Sequence, residues 1–307
     1  MNWNKLKKSY KRPQYLFSGL LKRFSRFIPD DKTYLSIRWR LSMGYPMPWD
    51  NPQTYNEKLQ WLKLYDRNPL YTKLVDKYLV KEHIAKVLGE EYVIPLLGVW
   101  DNVDDIDFDM LPDQFVIKCN HNSGTGMYIC KDKKKMDVRK VRRGLRKGLK
   151  QNYYLRNREW PYKDVKPRII AEKYMEDKRT SELRDYKFFC FDGVVKCLFI
   201  ASERSNSDNT VCFDYFDLNY NHLPIKRGHP NAKVMPEKPL NFEKMIDIAS
   251  RLSKGMPSVR IDLYEVDGQV YFGEYTFTHG GGFVRFQPNK WDMVFGEWIK
   301  LPEKKSK

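Results

Sequence analysis

Two runs of alternating apolar and polar residues, 258–265 and 269–277, flank Asp267-Gly268 and constrain the chain more than any other segment. They read as the antiparallel strands of a β-hairpin. Val259, Ile261 and Leu263 alternate with Arg260 and Asp262, so one face is apolar and the other carries opposite charges. A three-residue connection, Val266-Asp267-Gly268 with glycine in the left-handed position, is expected. It sets Arg260 across from Glu274 and gathers Asp262, Glu274 and Thr276 on the same face. A two-residue Asp-Gly turn would send Asp262 and Glu274 to opposite faces, because side chains alternate with period two. Two carboxylates and a hydroxyl on one strand pair suit Mg²⁺, which takes hard oxygen ligands and shares them with phosphate. As a bare surface hairpin the same residues amount to an Arg–Glu cross-strand pair worth under about 1 kcal/mol.

The rest of the chain alternates helical and strand patterns without a regular βαβ beat, which predicts α+β layers and excludes a doubly wound sheet. Basic amphipathic spacing predicts a helix from Pro13 to Pro29, with Leu16, Leu20, Phe24 and Phe27 on one side. Further helices are expected around 55–65, over 71–88, over 138–150 and over 242–253. Residues 92–97, 115–119, 168–175, 185–191 and 194–201 read as strands, and the polar stretch 203–238 as one large loop or lid.

Charge narrows the function classes through its location. The 307 residues carry a net +17, but residues 1–40 and 131–150 each hold eleven basic and two acidic side chains, which leaves the remainder near neutral. A nucleic-acid binder built on those segments needs neither the acidic hairpin face nor a lysine inside a strand, so that class is set aside. No run approaches the ~20 apolar residues of a membrane span. Five cysteines without a C-x-x-C pair argue against a disulfide framework or a zinc site and for a reducing, cytoplasmic setting.

Two other segments carry chemistry. Residues 115–126 deliver Lys118 from a strand into the small-residue loop Ser123-Gly124-Thr125-Gly126, where backbone N–H groups can approach phosphate oxygens while the lysine neutralises charge. The segment does not match G-x-x-x-x-G-K-[ST], so a P-loop is excluded. Residues 168–175 form a hydrophobic strand that ends in Glu172-Lys173-Tyr174, a place where backbone can read an adenine edge.

In this order the elements resemble the ATP-grasp fold. Asp76-Lys77 stands for the helix-borne lysine, Lys118 for the strand lysine before the flexible loop, and Glu172-Lys173 for the adenine hinge. Arg260-Ile261-Asp262 and Glu274-Tyr275-Thr276 stand for the metal-binding R-x-D and E-x-N, with Thr276 where the fold usually places Asn. The wording of residues 51–58, 111–118, 185–191 and 272–277 is similar to the TupA-like branch, associated with teichuronopeptide and other surface polysaccharides. The resemblance implies two α+β subdomains clasping ATP, residues 71–180 and 181–307, behind a helical N-terminal region, residues 1–70. It implies ATP contacts from Lys77, Lys118, Ser123, Gly124, Glu172, Lys173, Tyr174 and Lys187, and Mg²⁺ ligation by Asp262, Glu274 and Thr276. Arg260 and Lys118 would be catalytic, and Gly280-Gly281-Gly282 a mobile loop at the border of the site.

The implied activity is an ATP-dependent carboxylate–amine ligase working through an acylphosphate, with a uronic-acid or amino-acid substrate on an anionic glycan. The rivals are a kinase on the same fold and a glycosyltransferase, for which Asp105-Ile106-Asp107 would be the D-x-D. A cytoplasmic enzyme whose N-terminal basic helix docks on an anionic inner membrane face is the expected setting.

Overall fold

The computed structural model describes residues 19, 21, 23–180, 182–202 and 211–304. Of the helix expected over 13–29, residues 13–18, 20 and 22 lie outside them; residues 19, 21 and 23 are helical, and a 3-10 turn, Ser25–Phe27, follows before Pro29. Helices α1 (Asp31–Met43), α2 (Tyr55–Tyr65), α3 (Leu70–Val75) and α4 (Leu79–Val87) open the chain. Asp30 caps α1, and Thr54 with Glu57 closes a capping box on α2, so both starts are written in the sequence. The single helix expected over 71–88 is broken. Asp76 leaves helical geometry and its carboxylate accepts the Tyr78 and Leu79 N–H groups, restarting the chain as α4. Lys77 therefore sits in a turn, not on a helix.

Strands β1 (Leu96–Trp100), β2 (Phe115–Cys119) and β3 (Met127–Cys130) precede helix α5 (Val138–Leu149), and β4 (Ile169–Lys173) completes a four-stranded antiparallel sheet, order β1-β4-β2-β3. The first strand starts at Leu96 and not at residue 92, where a 3-10 turn, Glu90–Tyr92, comes first. Strands β5 (Asp185–Phe191), β6 (Val194–Ser202), β7 (Cys212–Phe216) and β8 (His222–Leu223) follow. Then come helix α6 (Phe242–Leu252), the hairpin β9 (Val259–Val266) and β10 (Gln269–Thr276), and helix α7 (Lys290–Trp298). The second sheet is six-stranded, order β10-β9-β5-β6-β7-β8. Residues 203–210 of the stretch read as one loop over 203–238 lie outside the described residues, and the rest supplies two strands, β7 and the edge strand β8: Cys212, Asp214, Tyr215 and Phe216 are buried in a short run that its polar neighbours disguise.

The small sheet packs one face on a helix and the large sheet packs both. Phe115, Ile117, Ile169 and Ala171 pack on Val141 and Leu145 of α5. Phe188, Leu198, Ile261 and Leu263 pack on Met245, Ile248 and Leu252 of α6. The opposite face of the large sheet carries Phe189, Phe199 and Tyr215 against α2 and α7. All five cysteines are free and buried.

The hairpin register corrects the expected loop. Val266 pairs with Gln269, so the turn is the two residues Asp267 and Gly268, both at positive φ. Taken alone this would separate Asp262 from Glu274. A β-bulge at Gly273 inserts one residue between Phe272 and Glu274 and restores the register, so that Glu274 faces Asp262 and Thr276 faces Arg260. The common face was anticipated; Arg260 lies directly across from Thr276 and reaches Glu274 on the diagonal. A Cβ at Gly273 would lie 2.9 Å from the Asp262 carbonyl oxygen. Gly273→Ala is expected to destabilise the protein by about 1–3 kcal/mol, read as a lowered thermal midpoint.

Candidate active site

A cleft of about 400 Å³ lies between the two sheets. Val80, Ile84, Val116, Ile129 and Phe272 give it apolar walls, and Lys77, Lys81, Lys118 and Glu172 give it a charged end. A narrow apolar slot ending in cations suits a flat heteroaromatic ring with an anionic tail.

Glu172 organises the cleft. It pairs with Lys118, and Lys81 Nζ lies 2.6 Å from its Oε1. The β2–β4 register places Val116 opposite Glu172, so Lys118 and Glu172 share a face two residues apart. Burial alone would raise the Glu172 carboxyl, but Lys118 and Lys81 outweigh it and hold the group at about 2. Its stabilising charge is therefore complete above the ordinary carboxyl value of 4.5 and is lost as pH falls towards 2. The thermal midpoint is expected to drop through that window, and Glu172→Gln should remove this part of the dependence.

At the other end, β5, β9 and β10 present a charged cluster on the face shared with Phe189 and Phe199. Arg260 donates from Nε to Asp262 Oδ1 at 2.6 Å, and from Nη2 to Asp262 Oδ2 at 2.7 Å, Thr276 Oγ1 at 2.9 Å and Glu274 Oε1 at 3.2 Å. Lys187 pairs with Asp262 and lies 3.2 Å from Asp185. Burial opposes the charge on Arg260, yet Asp262 and Glu274 raise its pKa further. Burial would raise Glu274 too; Lys77, Lys187 and Arg260 bring it down to about 2. Lys77 links the two ends: its Nζ lies 3.9 Å from Glu274 and donates to the Asn122 carbonyl at 3.0 Å.

Among the described residues no group of three or more His, Cys, Asp or Glu side chains is arranged to hold a metal. Asp262, Glu274 and Thr276 nonetheless make an all-oxygen set on one face, with Glu274 the more open at 34% side-chain exposure. Two carboxylates fit Mg²⁺ when phosphate and water complete its shell. Asp262 would have to exchange part of its Lys187 and Arg260 pairing for the ion.

Of the residues singled out in the sequence, Lys77, Lys118, Glu172, Lys173 and Tyr174 line the cleft. Lys187, Arg260, Asp262, Glu274 and Thr276 form the cluster beside it. Ser123 and Gly124 are exposed in the loop after β2 and are not on the cleft wall. Gly280-Gly281-Gly282 belongs to a closed turn, with Gly281 and Gly282 buried and their carbonyls accepting from Lys63 and Gln60. Asp105 and Asp107 make local turn contacts, with Asn102 Nδ2 and Asp109 N–H. Lys81 was missed, although its place four residues after Lys77 was a usable signal. His279 joins the cluster from the turn after β10. Its Nδ1 meets Arg260 Nη1, and since arginine has no acceptor, Nδ1 accepts and the ring is neutral. Burial and the neighbouring Arg227 and Arg260 hold His279 well below the usual imidazole value.

A family profile described as TupA-like ATP-grasp matches residues 57–300. No match was found among the curated proteins. Among solved structures, the chain is similar to D-alanine–D-alanine ligase from Helicobacter pylori, with 13% identity, a TM-score of 0.43, and coverage of 80% of this chain and 69% of that one. It is similar to D-alanine–D-alanine ligase from Bacillus anthracis complexed with ATP, with 16% identity, a TM-score of 0.41, and coverage of 67% and 55%. It is also similar to D-cycloserine synthetase DcsG, with 16% identity, a TM-score of 0.40, and coverage of 75% and 70%. The chain thus spans between 55% and 70% of the length of these proteins. The profile match takes in both sheets, the cleft and every residue of the charged cluster, and the chain belongs to the TupA-like ATP-grasp family.

Proposed function

We propose that the protein is an ATP-dependent carboxylate–amine ligase that forms an amide on a glycan or its amino-acid decoration during surface-polysaccharide assembly. The observation that carries the reading is the juxtaposition of an apolar cleft ending in Lys77, Lys81 and Lys118 with the Asp262–Glu274–Arg260 face. In this reading residues 71–180 and 181–307 are the two lobes around the nucleotide, and residues 1–70 are a helical platform. Adenine lies along the end of β4 at Glu172-Lys173-Tyr174, and Lys77, Lys118 and Lys187 neutralise the phosphates. Asp262 and Glu274, with Thr276 near, would hold Mg²⁺, which would supply positive charge to offset that of the phosphates.

The acceptor carboxylate oxygen attacks the γ-phosphorus and ADP leaves, giving an acylphosphate. The amine then attacks the acyl carbon, phosphate leaves with the C–O bond pair, and the nitrogen loses a proton. Phosphoryl transfer of this kind needs positioning and charge neutralisation more than covalent help. Arg260 donates to the oxygens on which charge develops. The test is product formation from ATP with panels of uronic and amino acids. ADP and phosphate should appear only when acid and amine are both present, and hydroxylamine in place of the amine should give a hydroxamate. Phosphate that stays on a hydroxyl, with none released, would establish a kinase instead.

The accepting ring of His279 bears on the same reading. It is wedged against Phe189 and Phe199, with ring centroids at 5.5 and 5.3 Å, and holds one arm of Arg260. His279→Phe keeps the packing and removes the acceptor. It is expected to lower kcat about tenfold with little change in the KM for ATP, the size of losing one hydrogen bond to a charged group. A matching loss of thermal stability with unchanged kcat would make the role purely structural.

A further inference from the structure

The helix α5 carries more positive charge than its packing uses. Val141, Leu145 and Gly148 face the small sheet, and two of its arginines are spent on the neighbouring loop: Arg142 donates to the Val103 and Ile106 carbonyls, and Arg146 pairs with Asp104. Arg139, Lys140, Arg143, Lys147 and Lys150 are exposed and make no ion pair among the described residues. Arg139, Arg143 and Lys147 follow one another at i, i+4, where like charges destabilise a helix. Arg139 and Lys140 also sit in the first turn, at the positive end of the helix dipole. A partner that neutralises this row would remove both penalties.

We propose that this face of α5 binds a linear, carboxylate-bearing polysaccharide, a reading that rests on the glycan substrate proposed above and deepens it. The cations form a stripe about 16 Å long, from the rise of about 1.5 Å per residue. A stripe suits a chain laid along the helix. A flat anionic membrane fits less well, because Asp105, Asp107 and Asp109 are exposed on the loop that Arg142 and Arg146 hold against α5. Residues 138–149 include no aromatic side chain on which a nucleic-acid base could stack. The helix is also bolted to the loop beside the candidate site. A Cβ on Gly148 would meet the Gly126 Cα at 2.7 Å, and Asn122 donates to the Gly148 carbonyl at 3.1 Å. A polymer held on α5 is therefore held beside the loop that follows Lys118.

The test uses the full chain and its R139Q/R143Q/K147Q variant, without ATP, so that its outcome is independent of turnover. Polygalacturonate is the probe, with neutral dextran, a DNA duplex and phosphatidylglycerol vesicles as comparisons. The wild type should bind polygalacturonate in preference to the other three, with affinity falling as salt rises. The variant should bind about tenfold or more weakly, with a shallower salt dependence. Its thermal midpoint should be unchanged or higher. Equal binding by the variant, no binding by the wild type, or tighter binding to DNA, vesicles or dextran would each overturn the proposal. If ATP turnover proves absent while polygalacturonate binding survives, the ligase reading fails and the polymer surface stands.

Discussion

Arg260→Lys should lower the rate of ADP formation by about 10²–10³-fold, the usual cost of losing a preorganised donor to developing charge. The guanidinium reaches Asp262 through two nitrogens and, from the same group, Glu274, Thr276 and His279. A lysine ammonium is a point charge that cannot span this set. Because the positive charge is kept, Asp262 stays paired and stability should change far less than activity. Arg260→Ala would instead leave a buried carboxylate with only Lys187, and removing one partner of a buried ion pair costs about 3–5 kcal/mol. The informative comparison is therefore kcat for the lysine variant against thermal midpoint for the alanine variant. A lysine variant within a few-fold of wild-type kcat would remove Arg260 from the reaction.

Lys118→Met should abolish the thermal stabilisation given by ATP and Mg²⁺ and should itself destabilise the fold. Glu172 is 5% exposed and depends on Lys118 and Lys81 for its charge. With Lys118 gone the carboxyl pKa rises. The fold should lose about 2–3 kcal/mol, below the full cost of breaking a buried pair because the lysine is 21% exposed. The double variant Lys118→Met/Glu172→Gln should recover much of that stability, since no uncompensated carboxylate remains, and should still show no upward shift with ATP. Recovery of the ATP shift in the double variant would mean that Lys118 serves only to balance Glu172.

How much of this was legible in the sequence depended on range. The hairpin showed through its period-two alternation, and so did the charged face, since Arg260, Asp262, Glu274 and Thr276 are local to it. The connection did not. A two-residue turn and a bulge at Gly273 give the same final face as a three-residue loop, and the letters Val-Asp-Gly fit either. The break at Asp76 was hidden because apolar spacing continues from Leu74 to Ile84, while the cap that interrupts it is reinforced by Asn120, distant in sequence. Helix α1 was passed over because it is buried on several sides, with Tyr34, Leu35, Arg38 and Trp39 all enclosed, and has no clear polar face. The Lys118–Glu172–Lys81 cluster joins two strands and a helix through the β2–β4 register, which no local pattern encodes. The same holds for His279, whose partner is nineteen residues away across the hairpin.

The most direct test is a crystal structure of the protein with Mg²⁺ and a non-hydrolysable ATP analogue. The adenine should lie between the sheets against Glu172, Lys173 and Tyr174, the phosphates beside Lys77 and Lys118, and the metal between those phosphates and the Asp262–Glu274 pair. Nucleotide bound outside the cleft between Lys118 and Glu274, or metal held by other residues, would contradict the account.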